Sequence, residues 1–412
     1  MSAGVDSRRA PNGIHWLSVF QFVLSGLALS GLWGLAAISI FNNFLTPNGQ
    51  QTDVFGPDWF ASFGYFSLGL LLLPSTILAL RRILGRPSQE VSIPGGRFGL
   101  TVFLIPIVLA TGIWLFENNL SGWVAPLHIF LGLLSVGWLL WLAIHNLEPG
   151  SGQRSWGALG AGMTLTPILS LIFEIIGVIF LLIILGIYVS TNPDLISALE
   201  RIGNLADRIN PNVELIIENL QPFFNDPFVL ILTLIGLGIF VPMIEELFKP
   251  LGVILLLGRK LSAAQGFALG AISGAGYALV ENLSIGTDGD SWALITIGRF
   301  GTSAMHILTT ALSGYALVRA KNKKRYLALF GIYVLNVAIH GIWNMLVVLS
   351  SATILGNIET RGILSPALLC IAPASLVMLA ITCLFFLRRY NHRLSNTTES
   401  RFPTPIPKIE AL

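Results

Sequence analysis

Residues 228–257 read FVLILTLIGLGIFVPMIEELFKPLGVILLL, an apolar run whose only charged residues are Glu245, Glu246 and Lys249. A run of this length can cross the roughly 30 Å hydrocarbon core of a membrane as a helix. A charged side chain at the centre of such a helix opposes insertion by roughly 2.5–3.5 kcal/mol. The three charged groups therefore need polar partners inside the membrane.

The next three apolar segments carry polar groups that can serve as these partners. The groups are Glu281 on 263–285, Arg299 and His306 on 293–318, and His340 and Asn344 on 326–349. Ionisable side chains within membrane segments are rare and normally face the interior of a helix bundle. We therefore predict four helices whose polar faces converge on one buried and water-accessible site.

The composition of the whole chain also indicates a membrane protein. Only 11% of the 412 residues are charged and 54% are hydrophobic, whereas about 25% of the residues of soluble domains are charged. We predict an all-α polytopic membrane protein with about ten transmembrane helices. The predicted spans are 16–41, 59–80, 98–116, 124–144, 159–189, 228–257, 263–285, 293–318, 326–349 and 365–387.

The distribution of Arg and Lys predicts which ends of these spans face the cytoplasm. If the N-terminus is cytoplasmic, the external connections hold only Arg201, Arg208 and Arg361. The basic residues of 81–86, 259–260 and 319–325 then all fall on the cytoplasmic side. Because Lys and Arg accumulate in cytoplasmic connections, we predict that both termini are cytoplasmic.

We predict three regions along the chain. Residues 1–227 form an accessory membrane region, 228–349 form a core that carries the polar groups, and 350–412 form a final span with a basic cytoplasmic tail. The external segment 190–227 is predicted to contain two short amphipathic helices, the first beginning at Pro193, with a break at 210–212. It either lies on the outer membrane surface as a connector or acts as a lid above the buried site.

The helical rise gives the depth of each polar group relative to the basic residue at the cytoplasmic end of its helix. That residue is 14 positions from Glu245, 13 from His306 and 15 from His340, which corresponds to roughly 20–23 Å. These three residues, together with Glu246, are therefore predicted to share one layer of the membrane.

Glu281 and Arg299 lie outside this layer by the same measure. Both are predicted to lie about 10 Å further toward the outside, where they can form a structural ion pair. Gly266, Gly270 and Gly274 recur at four-residue intervals on the segment that carries Glu281. They predict a small-residue face that allows a neighbouring helix to approach closely.

The residue types in this layer are those of hydrolytic sites. Two imidazoles, His306 and His340, could hold Zn²⁺ together with a carboxylate and leave a position for water. Glu245 or Glu246 could take the proton of that water and deliver it to a leaving amine. Without a metal, paired carboxylates can still perform acid–base chemistry. Asn344 could orient His340 or donate to an oxyanion.

Each residue also has a purely structural interpretation. Glu245 and Lys249 are four residues apart, in the favourable order for an intrahelical ion pair. Glu281 can pair with Arg299, as above. A histidine inside a membrane helix can simply form a hydrogen bond that holds two helices together.

Four short motifs resemble the PrsW family of intramembrane metalloproteases. They are EELFK (245–249), GYALVEN (276–282), RFGTSAMHILTTALSGYAL (299–317) and HGIWN (340–344). They occur in the family's order, each on its own predicted span. The resemblance covers about 228–349 and extends to the wider group that contains the CAAX prenyl endopeptidases, in which the second motif ends in His, where this chain has Glu281.

The resemblance implies a membrane-embedded metallopeptidase in a prokaryotic plasma membrane. Glu245 and Glu246 would supply the base, His306 and His340 would bind the metal, expected to be Zn²⁺, and Glu281 would be a third ligand or a second acid. Lys249 and Arg299 would support the site, and Asn344 would act beside His340. The implied substrate is a membrane protein or lipidated peptide within the bilayer, and no nucleic-acid partner is expected.

Two other functions are compatible with these residues. A non-catalytic scaffold of a protease complex could retain the fold and bind another membrane protein. An ion-coupled transporter could use buried Glu, His and Arg residues as a relay. A transporter predicts paired discontinuous helices and an internal repeat, and the sequence has no convincing repeat.

Overall fold

The structure is a computed structural model that describes residues 15–45, 58–90, 93–118, 120–206, 213–283, 291–354 and 366–396. These residues are almost entirely helical and contain no β-strand longer than an isolated bridge between Glu90 and Ser151. The predicted all-α fold is therefore confirmed. The predicted helix break at 210–212 and the tail beyond 396 lie outside the described residues.

Fifteen α-helices make up the described part of the chain. They are α1 (Trp16–Leu45), α2 (Asp58–Ile83), α3 (Leu104–Glu117), α4 (Val124–Ile144), α5 (Gly152–Met163), α6 (Leu165–Ser190), α7 (Pro193–Ala206), α8 (Val213–Asn225), α9 (Pro227–Ile235), α10 (Val241–Phe248), α11 (Leu251–Ile254), α12 (Ala263–Leu283), α13 (Trp292–Lys323), α14 (Tyr326–Ile354) and α15 (Pro366–Ser395). Short 3₁₀ segments precede α3 and α4.

Nine segments among the described residues are long and apolar enough to cross a membrane. They are Trp16–Asn42, Trp59–Ile83, Gly96–Glu117, Val124–Ile144, Gly152–Ser190, Pro227–Ile254, Ala263–Leu283, Tyr326–Ser350 and Ile371–Ser395. The eighth predicted span, 293–318, forms α13 as a continuous helix but is not among the nine. Its buried face is rich in polar residues, which lowers its overall hydropathy.

Proline residues interrupt two of the predicted spans. The predicted span 159–189 contains a break between α5 and α6 at Thr164, three residues before Pro167. The ring of Pro167 would clash with the carbonyl of Met163 in a continuous helix. The span that begins at Pro227 is likewise divided into α9, a π-helical segment Gly236–Phe240, α10 and α11, and Pro250 separates the last two.

The chain divides into two compact units, and the first comprises 1–166, 249–329 and 384–412. Helix α12 lies at its centre and is almost completely buried. A Cβ atom added to Gly270 would lie 2.5 Å from the carbonyl oxygen of Thr310 on α13, and one added to Gly274 would lie 2.7 Å from that of His306. The predicted small-residue face therefore exists, and it brings α12 and α13 into backbone contact.

The opposite side of α12 packs against α5 through a second set of small residues. Gly162 of α5 lies against the backbone of Ser273, and Gly276 of α12 lies against the backbone of α5 at Leu159. Because α12 is held closely on both sides, the polar residues on it have little freedom to move. The first unit therefore provides a rigid support for the side chains of α12 and α13.

The second unit comprises 167–248 and 330–383. In it, α14 approaches the π-helical segment so closely that Gly341 lies against the carbonyl oxygen of Gly238. The hydroxyl of Tyr333 donates to the carbonyl of Met243 (2.9 Å) and ties α14 to α10. Single-turn π segments within helices are frequent at functional sites, and this one directly precedes the helix that carries Glu245 and Glu246.

The two amphipathic helices predicted within 190–227 are confirmed as α7 and α8. Helix α7 begins at Pro193, as predicted, and the side-chain oxygen of Asn192 accepts from the backbone N–H of Asp194 (3.2 Å). The side chain of Arg201 on α7 donates to that of Asn219 on α8 (2.7 Å). The functional division at residues 227 and 349 stays a prediction, as does the sidedness of the termini.

Candidate active site

Lys249 lies at the break between α10 and α11. In a continuous helix the N–H of Val253 would donate to the carbonyl of Lys249. Here it donates to the carbonyl of Pro250 (2.9 Å), and the carbonyl of Lys249 accepts instead from the hydroxyl of Ser273 on α12 (2.8 Å). The side chain of Lys249 is completely buried. Its Nζ lies 2.7 Å from Nδ1 of His306 and 4.9 Å from the centroid of the Tyr277 ring. The break in the helix therefore directs a buried ammonium group toward α13.

His306 connects this ammonium group to a carboxylate. Its Nε2 lies 2.7 Å from Oε2 of Glu281, and Arg299 Nη1 lies 3.5 Å from the same oxygen. An ammonium group can only donate, so Nδ1 of His306 accepts from Lys249 and Nε2 carries the hydrogen that Glu281 accepts. The rings of Tyr277 and His306 pack nearly perpendicular to each other, with ring centroids 5.1 Å apart.

The contact between His306 and Glu281 corrects the predicted depths. Glu281 was expected about 10 Å further out than His306, and the direct contact shows that this is wrong. Lys260 lies three residues before α12 begins, whereas Arg319 lies four residues before α13 ends, so the two basic residues do not mark the same depth. Counted from the helix ends themselves, Glu281 is 18 residues after the start of α12 and His306 is 17 residues before the end of α13. The two counts are nearly equal, in agreement with the observed contact.

Helices α10 and α14 of the second unit bring a further group together. Oε1 of Glu246 lies 3.1 Å from Nδ1 of His340, and Oε2 of Glu245 lies 3.8 Å from Nε2 of the same ring. The exposed fractions are 6% for Glu245, 1% for Glu246 and 2% for His340. Each nitrogen of the imidazole therefore faces a different buried carboxylate from one turn of α10.

Asn344 has a backbone partner. Its Nδ2 donates to the carbonyl of Leu237 (2.9 Å), within the π-helical segment. This hydrogen bond fastens α14 to that segment one turn from His340. The predicted roles of Asn344, in orienting His340 or donating to an oxyanion, stay predictions.

Two residues that contribute to these groups were not identified from the sequence. The hydroxyl of Ser273 donates to the carbonyl of Lys249, and the hydroxyl of Tyr333 donates to the carbonyl of Met243 on α10, the helix that carries Glu246. A periodicity signal existed for both. Ser273 precedes Glu281 by eight residues, and Tyr333 precedes His340 by seven, so each lies on the same helical face as the residue that was identified.

Three buried side chains have metal-binding chemistry. Glu245, His306 and His340 can each offer one ligand atom. Two imidazoles and one carboxylate are the donor set of a common type of catalytic zinc site, which keeps its fourth position open. The donor chemistry and burial of this group therefore fit a zinc ion.

These features define a class of protein, namely a polytopic helical membrane protein with buried glutamate and histidine side chains. Residues 212–379 match the family model of the PrsW family intramembrane metalloprotease. The resemblance predicted from the four motifs is thereby confirmed, and the match supports a membrane metallopeptidase with a membrane-protein or peptide substrate. No curated protein and no solved structure matches the chain.

Proposed function

We propose that the protein hydrolyses a peptide bond of a membrane protein or lipidated peptide, using a zinc ion held by Glu245, His306 and His340. The observation that carries the proposal is that each of the two buried histidines has one ring nitrogen held by a glutamate, His306 by Glu281 and His340 by Glu246, and the family match to 212–379 supports the reaction type. A bound zinc ion would supply a water molecule that is more easily deprotonated and would polarise the scissile carbonyl.

We assign one ring nitrogen of each histidine to the metal from its hydrogen bonds. Nδ1 of His340 is held by Glu246, so Nε2, which faces Glu245, is the nitrogen assigned to the metal. Nε2 of His306 is held by Glu281, so Nδ1 is assigned to the metal. A carboxylate on the outer nitrogen fixes the orientation of a metal-binding imidazole and raises its basicity.

This assignment gives the remaining charged residues separate roles. Glu281 positions His306, and Arg299 in turn contacts the oxygen of Glu281 that His306 uses. Glu246 positions His340 through Oε1, and we assign to its second oxygen the transfer of a proton from water to the leaving amine. Buried carboxylates suit this role because they reach the reacting groups without competition from bulk water.

Lys249 imposes a condition on metal binding. Its ammonium group lies 2.7 Å from His306 Nδ1, the nitrogen assigned to the metal. Two cations cannot share this nitrogen, so the ammonium group must move when the metal binds. The flexible four-carbon stem of lysine permits such a movement.

The metal content of the purified full-length protein tests the proposal. We expect the wild-type protein to hold about one zinc ion per chain and the His306→Ala/His340→Ala variant to hold none. His392→Ala is the matched control, because this histidine is exposed at the end of α15. Retention of stoichiometric zinc by the double variant would exclude the assigned ligands.

Cleavage distinguishes a protease from a scaffold. A candidate single-span membrane protein is co-expressed with each variant, and its cleavage is followed on immunoblots. We expect Glu245→Gln and Glu246→Gln each to abolish cleavage, and Glu200→Gln, which alters an exposed carboxylate on α7, to leave it unchanged. Cleavage that persists in the Glu245→Gln/Glu246→Gln variant would exclude the assigned chemistry, and zinc binding without any cleavage would favour the scaffold.

We further infer that the protein acts in a prokaryotic plasma membrane.

A further inference from the structure

The first unit contains a cavity of about 290 Å³ that is separate from the Lys249, His306 and Glu281 group. It lies among the start of α1, the end of α2, the start of α5 and the segment after α11. Four basic residues line it, namely His15, Arg82, Arg154 and Arg259. None of the described residues that line it is acidic.

The charges of the three arginines reinforce one another in this cavity. Nη2 of Arg82 lies 3.4 Å from Nε2 of His15, and because a guanidinium group only donates, this nitrogen accepts. The pKa of His15 is lowered by its burial and by the charges of Arg82 and Arg259. A concave site lined by one sign of charge and low-dielectric walls concentrates ions of the opposite sign.

Polar side chains form an ordered wall beside the basic groups. The amide of Gln153 donates to the hydroxyl of Ser18 (2.7 Å), and the amide of Gln21 donates to that of Ser75 (3.1 Å). Helix α5 begins next to the cavity at Gly152, so the positive end of its dipole adds to the field of the arginines. The side chains of this wall are held by one another and favour a defined ligand position.

Another part of the wall is apolar. It is formed by Leu17, Phe20 and Leu24 of α1 and by Leu255 and Leu256 after α11. The cavity therefore offers guanidinium groups on one side and hydrocarbon on another. An anionic group attached to an apolar or neutral body matches both surfaces.

We propose that this cavity binds the phosphate group of an anionic ligand, with Arg82, Arg154 and Arg259 as the anion-binding residues. Guanidinium groups pair with phosphate through two parallel hydrogen bonds. Arg82 and Arg259 belong to the connections predicted to be cytoplasmic, and the head groups of anionic lipids are concentrated at that membrane surface. The head group of an anionic phospholipid and a soluble phosphate ester present the same chemistry to the arginines.

Thermal unfolding of the purified full-length protein in detergent tests the proposal. The probes are phosphatidylglycerol, phosphatidylcholine with the same acyl chains, glycerol 3-phosphate and inorganic phosphate. We expect phosphatidylglycerol to raise the unfolding midpoint, because a ligand that binds only the folded state stabilises it, and phosphatidylcholine to have no effect. An equal rise with the soluble phosphates would identify a free phosphate compound as the ligand of the same site.

Variants show whether the effect arises in the cavity. Arg82→Gln and Arg259→Gln are each expected to weaken the apparent affinity for the active probe on the order of tenfold, as loss of a charged hydrogen-bonding partner does. Arg259 is exposed, so we expect its replacement to leave the folding of the protein unchanged. Arg81→Gln is the matched control, because Arg81 is the exposed neighbour of Arg82 on α2 and does not line the cavity.

The proposal fails under any of three results. These are the absence of a shift in the wild-type protein with every phosphate probe, an equal shift with phosphatidylcholine, and an equal loss of affinity in Arg81→Gln and Arg82→Gln. The last result would show that the ligand responds to the net charge of the surface rather than to the cavity.

Discussion

At the scale of single residues, two histidines are each held by a carboxylate through one ring nitrogen. Glu281 holds Nε2 of His306 at 2.7 Å, and Glu246 holds Nδ1 of His340 at 3.1 Å. Such pairs fix the tautomer and orientation of an imidazole, which prepares its other nitrogen to bind a metal. Glu281 therefore acts on the proposed metal through His306 and is a positioning residue in our proposal.

Replacing Glu281 by Gln tests this positioning role. The amide oxygen can still accept a hydrogen bond from His306, but the negative charge is lost. We expect the affinity for zinc to fall about 10- to 100-fold, the usual effect of losing such an outer carboxylate. A competitive titration with a chromogenic chelator measures the affinity, and Glu200→Gln provides the control. Unchanged affinity in Glu281→Gln would contradict the assigned role.

Replacing Lys249 by Met tests whether the ammonium group competes with the metal. Met fills a similar volume but has no charge, so His306 Nδ1 no longer has a cationic partner to exchange. We expect tighter zinc binding in Lys249→Met, measured by the same chelator titration. Lys260→Met is the control, because Lys260 is exposed. Weaker zinc binding in Lys249→Met would show that the ammonium group supports the metal site instead.

At the scale of structural elements, the close packing of α12 on α13 determines where His306 lies. The carbonyl oxygen of His306 is itself part of the contact surface with Gly274. Helices that touch through backbone atoms cannot slide or separate without losing many contacts at once. The stripe of glycines therefore contributes to the geometry of the site as well as to stability.

A methyl group at Gly270 tests the importance of this packing. In Gly270→Ala the new Cβ would lie 2.5 Å from the carbonyl oxygen of Thr310, so α12 and α13 must move apart. We expect a destabilisation of about 1–3 kcal/mol, as for other overpacked sites, together with weaker zinc binding. Gly298→Ala is the control, because a Cβ there meets no atom within 4 Å. Thermal unfolding in detergent measures the difference, and equal midpoints would contradict the prediction.

At the scale of the whole molecule, the orientation in the membrane remains a prediction from the distribution of Arg and Lys. It places α7 outside the cell and the end of α15 in the cytoplasm. If it is correct, the arginine-lined cavity faces the cytoplasmic membrane surface. The location of that cavity and the sidedness of the chain can therefore be tested together.

Cysteine labelling measures the sidedness. Ser197 on α7 and Asn396 after α15 are both exposed and suitable for replacement by Cys. We expect a membrane-impermeant thiol reagent to label Ser197→Cys in intact cells and Asn396→Cys only after lysis. The wild-type protein, whose own cysteines are Cys370 and Cys383, gives the background labelling. The reverse pattern would invert the predicted orientation.

The sequence by itself determined the class of fold and most of the residues of the candidate site. Long apolar runs predict membrane helices because the thickness of the bilayer sets their length. Glu245, Glu246, Glu281, His306 and His340 could be identified because an ionisable group in such a run is costly unless it has a partner. The amphipathic helices α7 and α8 and the glycine face of α12 were also predictable, since their patterns depend only on helical periodicity.

Only the tertiary structure decided which of these residues meet. The contact between His306 and Glu281 depends on where α12 begins and α13 ends, and the positions of basic residues gave these levels incorrectly. The burial of Lys249 depends on a helix break whose freed carbonyl is accommodated by Ser273 of α12. Such contacts are set by helix ends and packing between distant segments. Local sequence patterns do not specify where a helix ends or which distant segment packs against it. The orientation of each imidazole and the arginine-lined cavity were therefore evident only in the folded chain.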